Sequence, residues 1–355
     1  MARRSSVALQ FRAESYDHPD GTVDGGTVMT WIDKTAYAAA ASWSGTNVVT
    51  SYVGNMHFAH PVPVETRVVV QARVVHTGAT SIHVQTRVIL PDLPGGPAGS
   101  AEAAGGVSAA GVSRGAAGGG GAAGATGADG AGTEPPSAEP VVCTECVMVY
   151  VSVDERHRAQ PVRPWEPDTP AQMERERLAK IRSHMRREVE ELIASAPRPE
   201  GSTAERIVLR FLAATKDVYP GETIQGGAVM RWIDEAADVC ASRWCGESVV
   251  AVFAGGVRFY EPVHVGDLVE LEARLVHTGP RSMHVSVQAR AGDRRNPVPS
   301  LIAHGLAVMV ATGEDGRAQE IRQWVPTTEA DRVIERRAVE LVGLRNRSAH
   351  EWAAG

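Results

Sequence analysis

The chain repeats itself. Residues 25–89 align without a gap on residues 226–290 at a constant offset of 201, and about 28 of the roughly 65 paired positions are identical. Landmarks recur in order: Gly25-Gly26 with Gly226-Gly227, and Trp31-Ile32-Asp33 with Trp232-Ile233-Asp234. Phe58, Pro61 and Val62 then match Phe259, Pro262 and Val263, and His76-Thr77-Gly78 matches His277-Thr278-Gly279. Such a repeat constrains the fold before any element is assigned, because both copies must build the same structure. At about 100–200 residues per domain, 355 residues accommodate two domains.

Further along the offset falls to 159, where Arg163 and Trp165 match Arg322 and Trp324, so the first copy carries 42 extra residues. They lie within 91–140, a segment made mostly of Gly, Ala, Pro and Ser with four consecutive glycines at 118–121. Without large apolar side chains such a segment cannot offset its ordering entropy, and it reads as a disordered loop between two strands. Residues 173–193 are charged, rich in helix formers and free of Pro and Gly. This predicts a spacer helix that packs through Leu178, Ile181, Met185, Val189 and Leu192. The expected organisation is a first domain over 1–170, a spacer helix and linker over 171–203, a second domain over 204–330, and a C-terminal helix over 331–355.

Within each copy a short apolar strand (7–11; 207–212) precedes a turn rich in Asp, Pro and Gly. An Ala-rich helix opens at Gly26 or Gly227 and is apolar on most faces, the mark of a buried helix. Four Val-rich runs follow in the first copy, at 48–53, 68–76, 81–90 and 141–153, with counterparts downstream. One buried helix with about five antiparallel strands per copy gives an α+β class, a sheet wrapped round a helix.

The net charge is −6, with no basic block to hold nucleic acid by phosphate neutralisation. No run of about 18 apolar residues would span a membrane, and no apolar stretch follows the basic start, so secretion is not expected. Four cysteines make no disulfide scaffold, and a reducing, cytoplasmic compartment is the simpler reading.

Asp33 and Asp234 are the leading candidates for chemistry. Each follows an apolar Trp-Ile pair, about two turns into its helix. Partial desolvation there raises a carboxylate's pKa and makes it usable as a base or nucleophile. The competing reading is an exposed helix residue or one half of a structural salt bridge. Gly26 and Gly227 open the helices, where N–H groups are unpaired and sit at the positive end of the dipole. They are candidate oxyanion donors, unless the glycines serve a tight turn alone. The stretch His-Thr-Gly-x-x-Ser-x-His-Val, at 76–84 and 277–285, reads as a hairpin. Its turn residues Gly78, Thr80 and Ser81, with Gly279, Arg281 and Ser282, are candidate contacts for a phosphate or ribose. The pairs His76/His83 and His277/His284 have no recognised metal spacing, and Cys143-Thr144-Glu145-Cys146 lacks the two further ligands that zinc needs. No metal and no cofactor are expected. The chain has no Gly-x-Ser-x-Gly elbow, phosphate loop or dinucleotide fingerprint.

Taken in order, Gly-Gly, the helix Asp, Phe-x-x-Pro-Val-x-Val and His-Thr-Gly-x-x-Ser resemble the hotdog-fold acyl-CoA thioesterases. The likeness is strongest to the tandem, or double hotdog, acyl-CoA hydrolases, and it covers both copies. It implies two hotdogs with sheets paired back to back and a thioester at their interface. It also implies CoA along the surface between them, and homo-oligomers, with a trimer of chains favoured. A helix Asp of one hotdog would work with a loop residue preceding the Gly-Gly of the other. Asp33 and Asp234 match the helix Asp, and Gly26 and Gly227 the oxyanion glycine. The loop position, often Asn in the family, is His18 in the first copy and Tyr219 in the second. The residue before Gly-Gly, often His, is Asp24 or Gln225. The pairing expected to carry catalysis first is His18 with Asp234. The implied reaction is hydrolysis of an acyl-CoA to fatty acid and CoA. Two other readings compete: a non-catalytic acyl-CoA sensor, and a hotdog hydratase or dehydratase. The latter's usual Gly-Asp-x-Asn-Pro-x-His pattern is absent.

Overall fold

The structure, a computed structural model, describes residues 5–12, 21–93, 140–194, 201–218, 223–295, 298–313 and 316–353. Residues 94–139 of the expected disordered insert 91–140, and the loop positions His18 and Tyr219, lie outside the described residues.

The first copy runs β1 (Ser6–Arg12), β2 (Thr22–Val23), α1 (Gly25–Ser44), β3 (Asn47–Val53), β4 (Met56–His57), β5 (Val62–Pro63), β6 (Arg67–Thr77), β7 (Ser81–Leu90) and β8 (Val141–Val153). A long α2 (Pro170–Ala194) leads to the second copy: β9 (Arg206–Leu212), α3 (Gly226–Cys245), β10 (Val249–Phe259), β11 (Asp267–Thr278), β12 (Ser282–Asp293) and β13 (Ser300–Ala311). The chain then enters α4 (Glu329–Ala353). The expected strands all form, each within a residue or two of its sequence-read limits in the first copy.

The central helices are set by their ends. Asp24 caps α1: its Oδ1 accepts from the Thr27 N–H (2.7 Å) and its Oδ2 from the Thr27 hydroxyl (2.8 Å). Gly45, at φ 71°, closes the helix in the left-handed region and donates to the Ala41 carbonyl. Gln225 stands at the same place before α3 and makes no side-chain cap. No residue of α1 is exposed, because the strands of its own copy cover it on several sides. On β6, Val68, Val70, Ala72 and Val74 are buried, while Val69, Gln71 and Arg73 alternate outward. Phe11 stacks on Trp31 in one copy as Phe211 meets Trp232 in the other, at ring separations of 5.3 and 5.0 Å.

The two copies share one antiparallel sheet, in the order β1-β6-β7-β8-β3-β10-β13-β12-β11-β9. Its centre is the β3–β10 pairing, Val53 opposite Val257 and Tyr52 opposite Arg258. The sheets therefore join edge to edge, and the back-to-back arrangement expected from the resemblance is corrected. The reason is elementary: each copy ends in an edge strand with unpaired backbone groups, and pairing the two satisfies both. It also brings α1 and α3 side by side in contact.

The spacer helix α2 is more than a connection, since it packs on β6, β10 and α4 and so touches both copies. Glu176 of α2 lies 3.3 Å from Nδ1 of His76 on β6. Leu178 is half-buried and Ala179 buried, as a packed face requires. Ile181 is exposed instead, so the packed stripe is narrower than the sequence implies. The side chains of Met185, Val189 and Leu192 lie outside the described residues.

Candidate active site

The two central helices cross at their N-terminal halves, and glycine sets how closely. A Cβ on Gly26 would stand 2.9 Å from Cγ and 3.0 Å from Cα of Arg231, and one on Gly227 would stand 3.0 Å from Cα of Thr30. Closeness lets each helix carboxylate reach the start of the other helix. The Gly26 N–H donates to Oδ2 of Asp234, and the Gly227 N–H donates to Oδ2 of Asp33, both at 2.8 Å. Two aspartates aligned in the repeat thus meet two glycines aligned in the repeat, each across the interface. The arrangement brings together Asp33, Asp234, Gly26 and Gly227. Both N–H groups are engaged by these carboxylates.

The pairs are alike in position and unlike in chemistry. Oδ1 of Asp33 accepts from the Tyr150 hydroxyl (2.7 Å) and from the Thr50 hydroxyl (3.2 Å). Oδ1 of Asp234 is buried and has no hydrogen-bond partner among the described residues. The difference is readable by position. Thr50 pairs with Tyr150 across β3–β8, just before a bulge; Ala251 pairs with Met309 across β10–β13, also just before a bulge. Bulges aim both positions at the helix crossing, but Ala251 and Met309 carry no hydroxyl. Identity between copies could not flag Thr50 and Tyr150. Their signal was that the copies differ there.

Burial raises both carboxylates above the usual range. For Asp33 the hydrogen bonds from Tyr150, Gly227 and Thr50 oppose desolvation. Asp234 is pushed up to about 7, by burial first and by the negative charge of Asp24 second, against the Gly26 hydrogen bond. A carboxylate that titrates near neutrality with one oxygen free is equipped to take a proton from water.

The hairpin residues take varied positions. Gly78 and Gly279 donate to the carbonyls of Ser81 and Ser282, which closes the two turns. Arg281 is exposed, and Gly279, Thr80 and Ser81 are half-buried, within reach of a surface ligand. Ser282 is 1% exposed, which corrects its assignment as a surface contact. The turns are not remote from the carboxylates: Ile82 and Met283 lie on the same sheet rungs as Tyr150 with Thr50 and Met309 with Ala251. The histidine pairs face each other edge-on across their strands, at 5.0 and 5.2 Å. Cys143 and Cys146 are buried free thiols, pushed by burial to about 12. Among the described residues no group of three or more His, Cys, Asp or Glu could hold a metal ion, and no helix is long and apolar enough to cross a membrane.

A twice-built helix-and-sheet unit with crossed carboxylates defines a tandem hotdog protein, and comparison with known proteins places it. The profile of the Thioesterase superfamily matches residues 20–93 and 221–298, one segment per copy. An uncharacterized acyl-CoA thioester hydrolase of Bacillus subtilis, YkhA, is 30% identical over 138 residues, which are 39% of this chain and 80% of that protein. Another from Zymomonas mobilis is 33% identical over 113 residues, 32% of this chain and 76% of that protein. A structure described as an oleoyl thioesterase from Lactobacillus plantarum covers 88% of this chain and 99% of its own, with a TM-score of 0.50. At 10% identity that likeness concerns the fold alone. The chain belongs to the thioesterase superfamily of hotdog proteins.

Proposed function

We propose that this chain hydrolyses acyl-CoA thioesters to a free carboxylic acid and CoA. The observation that carries the reading is the crossed pair of buried carboxylates at helix N-termini, above all Asp234 with its free oxygen. Asp234 acts as general base on a water molecule. The water oxygen attacks the thioester carbonyl, and the positive end of α1 stabilises the resulting oxyanion. In that step the Asp234 carboxyl, now protonated, loosens its hold on the Gly26 N–H, which is shared with the oxyanion. Collapse expels the CoA thiolate, which recovers the proton from Asp234. His18 is the proposed partner of Asp234 in this reaction, and Tyr219 is the proposed partner of Asp33 and Gly227. Gly78, Thr80, Ser81, Gly279 and Arg281 are the proposed contacts for the CoA moiety.

The same reading makes residues 1–170 and 204–330 the two domains, assembled as homo-oligomers, a trimer of chains first, in the cytoplasm. Names of the two bacterial relatives support the substrate class, and four free cysteines suit a reducing compartment. The test is thiol release over a panel of acyl-CoAs from acetyl to palmitoyl. Turnover of at least one is expected. Binding without turnover of any would instead make the chain an acyl-CoA sensor.

A further inference from the structure

Each copy is followed by a helix, and each helix sits over a pair of histidines. At the offset of 159 that aligns Trp165 with Trp324, Glu176 of α2 falls on Glu335 of α4, and Ala179 falls on Ala338. Both alanines are buried, so the same stripe of each helix meets the sheet. Glu176 lies 3.3 Å from Nδ1 of His76, and Glu335 lies 4.0 Å from Nδ1 of His277. Edge-on to these two stand His83 and His284 on the neighbouring strands, 6% and 4% exposed. Along β7, Ile82 belongs to the core around α1, and the alternation of a strand turns His83 to the opposite face. The repeat thus carries a histidine pair and a carboxylate above it in both copies, on the side of the sheet away from the helix crossing.

The two histidines of the first pair differ in what a proton would meet. On His76 it would face Glu176, which also holds Lys180 at 3.0 Å. Around His83, β6 presents His76, α2 presents Arg186 and β8 presents the uncharged Val149 in register. Burial first, then His76 and Arg186, hold the His83 imidazole down at about 3. Arg186 lies over the Tyr52 ring at 5.2 Å, so the helix that covers His83 also carries a charge that repels its proton. His277 is likewise held below its ordinary range by burial, against the pull of Glu335. A histidine freed from its helix would titrate near 6.5, at roughly the value of an exposed imidazole. The docked helix therefore leaves the chain with fewer bound protons than the released one. Acid must favour release, by about tenfold for each pH unit below 6.5.

We propose that the histidine pair under α2 is an acid-operated catch: protonation of His83 releases α2 from the outer face of the sheet, and the pair under α4 repeats the device. Because α2 packs on β6, β10 and α4, its release uncovers both copies together. The β3–β10 pairing and the helix crossing do not depend on it. The inference goes beyond the thioesterase reading and stands apart from it.

The test is hydrogen exchange of the full chain, read by mass spectrometry and corrected for the intrinsic pH dependence of amide exchange. Opening of α2 relative to α3 should grow about thirtyfold from pH 7.5 to pH 5. His83→Gln and His83→Phe bring no titrating group to that position, and in them the ratio should stay flat. His76→Gln should keep the wild-type dependence, because its proton does not work the catch. Protection of α2 that does not change with pH in the wild type would overturn the proposal without recourse to any variant. A dependence that survives both His83 substitutions, or one that is lost in His76→Gln, would overturn it as well.

Discussion

Asp234 is a carboxylate whose neighbours set its working pH. Burial raises it to about 7, and Asp24 adds to the shift while also capping α1. A base must be deprotonated to act, so kcat/KM should rise with pH through an acidic limb near 7. Asp24→Asn keeps a capping oxygen and removes the charge. The limb should then move to lower pH with little loss of melting temperature, read from pH–rate profiles and thermal melts; an unmoved limb would acquit Asp24. The same shift has a sign in stability. Between about pH 4 and 7 the folded chain keeps a proton on Asp234 that the unfolded chain has released, so stability falls as pH rises through that window. Asn does not ionise and can still accept from Gly26. Asp234→Asn should therefore be the more stable protein at pH 8, by on the order of 2–4 kcal/mol, with the advantage vanishing near pH 4. Denaturant midpoints at the two pH values measure this. The repeat made Asp33, Asp234, Gly26 and Gly227 legible in the sequence, because identity at a fixed offset marks what both copies need. It hid Thr50 and Tyr150, because what distinguishes the sites sits where Thr faces Ala and Tyr faces Met.

At the scale of elements, the strands and the two buried helices were readable from Val-rich runs and an Ala-rich segment with no polar face. The join was not. Nothing in the composition of β3 or β10 marks them as the edges that meet, since pairing is decided by backbone groups that every residue carries. Helix spacing was likewise hidden until the glycines of one helix were seen against the other. Gly26→Ala would press a methyl on the backbone of Arg231, so it should destabilise the fold by about 1–3 kcal/mol. That loss should exceed the gain of about 1 kcal/mol in helix propensity. An unchanged urea midpoint would show that the helices part freely. The insert makes the opposite case. Leu90 pairs with Val141, so its two ends meet on neighbouring strands, and β12 reaches β13 through residues 294–299 alone. Deleting 95–138 should leave activity near wild type and lower the melting temperature by less than about 10 °C, because loop closure depends weakly on length. A larger drop would mean that the segment packs on the domain.

The whole molecule unfolds as it is built. With one sheet through both copies and helices clasped at two crossed pairs, neither copy keeps its inner surface covered once the other is lost. Calorimetry should record a single transition with equal calorimetric and van't Hoff enthalpies; two resolved transitions would mean that the β3–β10 junction couples the copies weakly. The junction has a genetic consequence as well. In a hotdog dimer of identical chains, one codon change alters both symmetry-related positions together, and a substitution that harms one site harms its twin. Here the two partners are written in one reading frame, so a codon can change on one side of the pseudo-twofold axis while its counterpart stays as it was. Covalent linkage thereby gives selection access to states that a symmetric dimer cannot reach: the surroundings of Asp33 and those of Asp234 can change independently.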